Sequence, residues 1–389
     1  MRPLGLYIHI PFCKRKCAYC DFVSYPGREA RLNSYIDALI SEARLYEDVL
    51  FSRGPQKDED LLGWSREVDT VFVGGGTPSL LSPAQFERLT DGLKACCSWS
   101  AAEFTVEANP ETLDAEKLSA YAACGVNRIS MGLQTHDNEI LSCIGRRHTW
   151  DTFLRAYEAA SRLIPNINVD TIFALPGQTL ESYLETLRRV TALNPMHVSS
   201  YALKLEAGTP LAESFSGADD DLDREMYHAG IKALEAAGLM QYETSNFAVP
   251  GFECRHNLKY WTGEEYLGLG VAAHSFLRDG QPTRFGNTRS LDEYIRLVGD
   301  GIKPVVQRET LDDVDEKAEY IMLRLRLKQG LKFDDYARRF GWEFAVEFEK
   351  AIRICGKAGL ITASEKGISP TVKGFDLQNS LIGEFLEHI

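Results

Sequence analysis

The chain has 389 residues, 44% of them hydrophobic and 25% charged, with a net charge of −13. That is enough chain for a large core and two domains, and the acidic balance argues against holding nucleic acid on a basic surface. The longest apolar runs fall well short of the ~18 residues a membrane-spanning helix needs. The opening Met1-Arg-Pro-Leu-Gly-Leu-Tyr7 shows no secretory leader. Nine cysteines, an odd number scattered along the chain, make a disulfide framework unexpected and a cytoplasmic location expected.

Strands and helices alternate from the start. Leu4–Ile10 reads as a strand stopped by Pro11, and Arg31–Phe51 as a long amphipathic helix. Residues 54–66 are polar and interrupted by Gly and Pro, which predicts a loop. Val68–Val73 is a β-branched run ending in glycines, and Ser82–Cys96 is a helix with Ser82 as cap and Pro83 in its first turn. Strands follow at Glu103–Glu107, Arg128–Leu133, Ile167–Ile172 and Met196–Leu203, with helices at Asp114–Cys124, Trp150–Leu163, Leu180–Ala192 and Asp221–Ala237. The pattern predicts an α/β fold with a parallel sheet over residues 1–240, closed or partly closed as a (β/α)6 barrel, with functional groups beyond the strand C-termini. Residues 241–310, rich in Gly and in mixed aromatic and polar residues, read as an irregular bridge. From 311 to 389 the helices Asp313–Leu327, Phe333–Phe340 and Glu343–Ala358, a hairpin within Leu360–Val372 and a last helix from Lys373 predict a smaller, mainly helical accessory domain of winged-helix type.

The densest chemistry lies directly after the first strand, at Cys13, Cys17 and Cys20, spaced C-x3-C-x2-C. Thiolates this close can converge on one metal centre, and sulfur selects iron–sulfur clusters or zinc. A four-iron cluster would keep one iron open to another ligand. A single zinc would need a fourth ligand, with His9 nearest, and a disulfide plus a spare thiol is a third arrangement. Gly74-Gly-Gly-Thr77 follows the second strand, where glycines let a ligand approach bare backbone. Glu107 ends the third strand, Gln134 the fourth, and Arg146 follows with the bidentate fork that suits a carboxylate. Asp170 lies inside the fifth strand, where an acid must be paired or functional.

The cysteine motif resembles the radical S-adenosylmethionine (SAM) superfamily. With Tyr7, Gly75, Gly76, Thr77, Glu107, Gln134, Arg146, Asp170 and Ala202 in that order, the first 200 residues resemble the oxygen-independent coproporphyrinogen III oxidase (HemN) group. The resemblance implies a [4Fe–4S] cluster on the three cysteines, with SAM filling the open iron and contacted by Tyr7, Gly75 and Glu107. It further implies that Gly76, Thr77, Gln134, Arg146, Asp170 and Ala202 match contacts to a second SAM in the oxidase, and that Tyr19 matches an aromatic position there. Two features depart from the oxidase: Phe22 stands where it has a fourth cysteine, and Tyr7 is only six residues from Met1.

A third feature distinguishes the two branches. His256-Asn-Leu-Lys-Tyr-Trp261 has the form H-N-x-x-Y-W, and with Cys17-Ala-Tyr-Cys-Asp-Phe22 and Tyr266–Ser275 it resembles the haem chaperone branch, HemW. A neutral imidazole can ligate haem iron, and Tyr260 and Trp261 offer flat faces to a porphyrin. His256 is the candidate axial ligand, with His274 and Cys254 behind it. This branch implies haem as ligand, delivery to respiratory cytochromes or other haem-receiving proteins, an electron donor for the cluster, peripheral visits to the cytoplasmic membrane face, and a monomer or homodimer. It assigns no catalytic residue. The alternative is radical decarboxylation of coproporphyrinogen III.

Overall fold

The structure, a computed structural model, describes residues 2–50 and 66–389; the expected loop at 54–66 lies almost wholly outside them. Six strands run parallel in chain order: β1 (Arg2–Ile10), β2 (Arg66–Gly75), β3 (Trp99–Ala108), β4 (Arg128–Gln134), β5 (Ile167–Phe173) and β6 (His197–Ala202). Every residue of β4 is buried, as a parallel strand covered on both faces requires. Helices return the chain between strands and begin where the sequence marks them. Ser82 and Gln85 form a capping box around Pro83, and Asp114, Thr149 and Thr179 each accept a backbone N–H in the first turn.

Two helix expectations need correction. The first helix runs Leu32–Leu45 and restarts as Glu47–Leu50, because Tyr46 leaves helical geometry at φ −113°. Glu343–Ala358 divides into Phe344–Glu347 and Glu349–Lys357 around Phe348, whose buried ring stacks on Phe344 and meets Phe385.

The segment 241–310 is not irregular. After β7 (Met240–Gln241) and β8 (Asn246–Ala248) come a helix at Arg255–Thr262 and the strands β9 (Tyr266–Leu269), β10 (His274–Leu277), β11 (Thr283–Asn287) and β12 (Val305–Thr310). Strand β9 pairs in parallel with β1, and the others pair antiparallel, giving the order β12-β11-β10-β9-β1-β2-β3-β4-β5-β6-β8-β7. The sheet therefore wraps as a partial barrel, extended at both edges by this segment. Runs of two to six residues broken by glycine carry too little alternation to reveal themselves. Several of those glycines are required by close approach: a Cβ at Gly268 would strike the His274 carbonyl.

From Tyr320 to Phe385 a second apolar cluster forms around Tyr336, Phe344, Phe348 and Phe385, all fully buried. Helices surround a three-stranded sheet made of Leu331–Lys332, Gly367–Pro370 and Ile361–Ser364. The main core extends from Leu4 to Val298.

Candidate functional site

Pro11 turns the chain from β1 into the cysteine loop. Two backbone bonds fasten this loop to the end of β2: Gly76 N–H donates to the Ile10 carbonyl at 2.9 Å and Thr77 N–H to the Phe12 carbonyl at 2.8 Å. Only glycine fits at 76, since a Cβ would lie 2.7 Å from Phe12 O and 2.8 Å from Ile10 O. The Thr77 hydroxyl donates toward the Cys13 sulfur at 3.4 Å and accepts from Asn109 Nδ2 at 3.1 Å. Cys13 is buried, and Cys17 and Cys20 are half-buried. Burial pushes the Cys13 and Cys20 thiols up, so a bound metal must supply the charge that holds them as thiolates.

On the far side of the loop, Ala18 N–H bonds the Ile144 carbonyl at 3.0 Å. Arg146 reaches Cys17 Sγ at 3.8 Å and Asn109 Oδ1 at 3.0 Å, and also donates to the Gly132 carbonyl. Its Nε is buried and unpartnered, a donor left for a ligand. Gln134 lies beside it, buried and with φ at +76°.

Among the described residues, no three His, Cys, Asp or Glu side chains converge closely enough to hold a single ion. A tetrahedral zinc would need its sulfurs within about 4 Å of one another. A cubane cluster takes one sulfur at each of three separate corners, and three thiols spread along a loop fit that arrangement. His9 is not a spare fourth ligand: Nδ1 is bonded to the Tyr7 hydroxyl and Nε2 to the Val23 carbonyl, each at 2.9 Å.

A cavity of about 170 Å³ opens inside the barrel between Tyr7, Glu107, Arg128, Asp170, Asn257 and Tyr260. Gly75, at φ +108°, donates its N–H to Glu107 Oε2 at 2.9 Å. Burial first, then the nearby Asp170 charge, push the Glu107 carboxyl up to about 7. Burial also raises Asp170, against bonds from Asn168 at 2.7 Å and Ser130 at 3.1 Å. Two carboxyls held this way favour a cationic group between them.

The expected residues thus fall into neighbouring sets. Cys13, Cys17, Gly76, Thr77, Gln134 and Arg146 surround the cysteine loop, whereas Tyr7, Gly75, Glu107 and Asp170 meet at the cavity. Tyr19 packs on the apolar cluster of Ile140, Ile144, Ile172 and Leu175 and borders the loop, with Arg146, Cys17, Cys20 and Asp170 near enough to act on its hydroxyl, and Ala202 is exposed at the end of β6. Asn109 and Arg128 were missed. Asn109 could have been found from its place two residues beyond Glu107, and Arg128 as a charge opening an apolar strand.

The haem-ligand expectation meets a closed door at His256. The ring is fully buried, with Nδ1 bonded to Thr70 Oγ1 at 3.0 Å and Nε2 to the Tyr260 hydroxyl at 2.8 Å. Burial, then Lys259, lower its pKa to about 3. Both nitrogens are committed to the core, so iron has no route to it. Cys254 is equally closed, fully buried with its thiol donating to Glu103 at 3.4 Å. Tyr260 and Asn257 of the same motif do reach the cavity.

Residues 7–190 match the radical SAM superfamily model, and residues 311–377 match that of the HemN C-terminal domain. The radical SAM family implies a [4Fe–4S] cluster and SAM, and the cysteine loop fits the former. The chain is 33% identical to "Heme chaperone HemW" of Bacillus subtilis (strain 168) over 388 residues, covering 98% of each protein. It is 39% identical to "Heme chaperone HemW" of Escherichia coli (strain K12) over 334 residues, 84% of each. The solved coproporphyrinogen III oxidase (HemN) of Escherichia coli superposes with a TM-score of 0.84 at 25% identity, over 100% of this chain and 91% of that one. These likenesses and the cysteine loop agree, and the chain belongs to the HemW haem chaperone family of radical SAM proteins.

Proposed function

We propose that the protein carries haem as cargo, beside a [4Fe–4S] cluster and SAM, and hands it to haem-receiving proteins such as respiratory cytochromes. The observation behind this reading is the likeness to haem chaperones along 98% of the chain. The cluster would rest on Cys13, Cys17 and Cys20, and SAM against Tyr7, Gly75 and Glu107. Gln134, Arg146 and Asp170 would extend that pocket. Bound together, cluster and SAM supply the chemistry of reductive SAM cleavage. Tyr7 and Glu107 would orient the ligand, and Arg146 would hold a carboxylate while anchoring the Cys17 side of the loop. We place the radical SAM barrel at 1–240, joined through 241–310 to an accessory domain at 311–389. No described helix is long and apolar enough to cross a membrane; the carrier would work from the cytoplasm and meet its recipients at the membrane face, drawing electrons for the cluster from a separate donor.

The test is anaerobic titration of cluster-reconstituted protein with haemin, then mixing with an apocytochrome. Saturable binding followed by transfer is expected. Decarboxylated product from coproporphyrinogen III without haem transfer would overturn the reading in favour of the oxidase. Replacing Cys13, Cys17 or Cys20 with Ser should remove the cluster absorbance near 400 nm; a variant retaining full iron and sulfide would refute its ligand.

A further inference from the structure

A second opening, an open groove of about 320 Å³, lies on the outer side of Tyr7 and Tyr260. Its walls include Phe22, Tyr266, His274 and Arg289. That volume is at the small end of the ~300–1,000 Å³ typical of ligand pockets, so a macrocycle seated in it would protrude, as suits a cargo that must leave.

Its chemistry is distinctive. The chain has eight histidines. Seven of them, His9, His136, His148, His197, His228, His256 and His388, have at least one ring nitrogen bonded or ion-paired. His274 is the exception among the described residues: it is exposed, and no hydrogen bond occupies either nitrogen. Its position is nonetheless defined. It stands opposite Gly286 in the β10–β11 register, and its imidazole lies over that bare backbone, where a Cβ would sit 2.9 Å from Cε1. An imidazole so presented, with both ring nitrogens unbonded, is suited to ligate iron.

The surroundings suit a flat dianion. Phe22 is 69% exposed, an apolar face uncovered beside the groove, and Tyr260 and Tyr266 add aromatic surface. Arg289 is exposed, and neighbouring Asp292 pairs with Arg31 instead, leaving the Arg289 fork for a carboxylate. Asp21 also lines the groove, so the field there is mixed. In a chain of net charge −13, a local guanidinium matters to an anionic ligand. The groove begins one residue past Cys20, at Asp21, and shares Tyr7 and Tyr260 with the barrel cavity.

We propose that haem docks in this groove, with His274 as the axial ligand to iron and Arg289 against a propionate. This rests on the haem-carrier reading above and names its binding site.

The experiment is haemin titration of the full chain by Soret absorbance, wild type beside His274→Ala, His274→Cys and Arg289→Ala. His274 is exposed, so its variants should fold, which circular dichroism checks. The expected result is saturation in the wild type and a loss of at least ~10-fold in affinity for His274→Ala. His274→Cys should give a thiolate-type ferric spectrum unlike the wild type's, and Arg289→Ala should weaken binding without moving the Soret band. A wild type that saturates while both His274 variants match it in affinity and band position would overturn the site and leave the carrier reading standing. No saturation in the wild type would overturn both.

Discussion

Replacing Gly76 with Ala isolates how tightly β2 holds the cysteine loop. Gly76 does not occupy the left-handed region, so alanine brings no dihedral penalty and the effect is steric alone. Its Cβ would stand 2.7, 2.8 and 2.9 Å from Phe12 O, Ile10 O and Phe12 N. All three are backbone atoms and cannot rotate away, unlike a side-chain tip. The same backbone accepts the bonds from Gly76 and Thr77, so relief comes by prising loop from strand. Overpacking of this kind costs about 1–3 kcal/mol, and each kcal/mol lowers the melting temperature by ~2–4 °C in a domain of ~150–250 residues. The displacement passes directly to Cys13, so bound iron should fall more steeply than stability. The assay pairs thermal denaturation with iron and sulfide content after anaerobic reconstitution. A variant that melts with the wild type and keeps its full cluster would refute the claim that this contact positions the ligands.

Glu42 offers a pH test. It is fully buried, accepting from Gly270 N at 2.8 Å and from Asn287 and Tyr294 at 2.6 Å each, and burial still pushes its carboxyl from 4.5 up to about 7. A raised folded-state pKa means stability that is full below pH 4.5 and is lost as pH rises through about 7, by about 3 kcal/mol. Denaturant titrations between pH 5 and 8 should show this slope in the wild type and not in Glu42→Gln; parallel curves would refute it. Gly383→Ala, in the helix Gln378–Leu386 with nothing within 4 Å of its Cβ, should stabilise by about 0.5–1 kcal/mol, read as a raised denaturation midpoint.

The barrel was legible because strands and helices alternate in order and most of its helices begin at a Ser, Thr or Asp cap. The candidate cluster site could be proposed from sequence because its residues are local: three cysteines within eight residues need no tertiary information to be grouped. The edges of the sheet were not, since β7 to β12 are short and take their partners from distant segments. The same difference governs the histidines. The motif around His256 marks it chemically, but whether an imidazole is free or bonded depends on Thr70, distant in sequence. His274 ranks behind His256 in the sequence and comes forward only when the hydrogen bonds of the other seven are accounted for.

The pairing of β1 with β9 sets a timetable for the birth of this protein. Gly5 meets Tyr266 and Ile8 meets Leu269, so one flank of the first strand stays bare until the ribosome has made and released most of the chain. At ~5–20 residues per second, that interval is roughly ten to fifty seconds. Throughout it the cysteines, emerging among the first residues, hang from a strand with half its hydrogen bonds unmet. The first strand is thus completed late, although the cysteines that follow it are among the earliest residues to leave the tunnel.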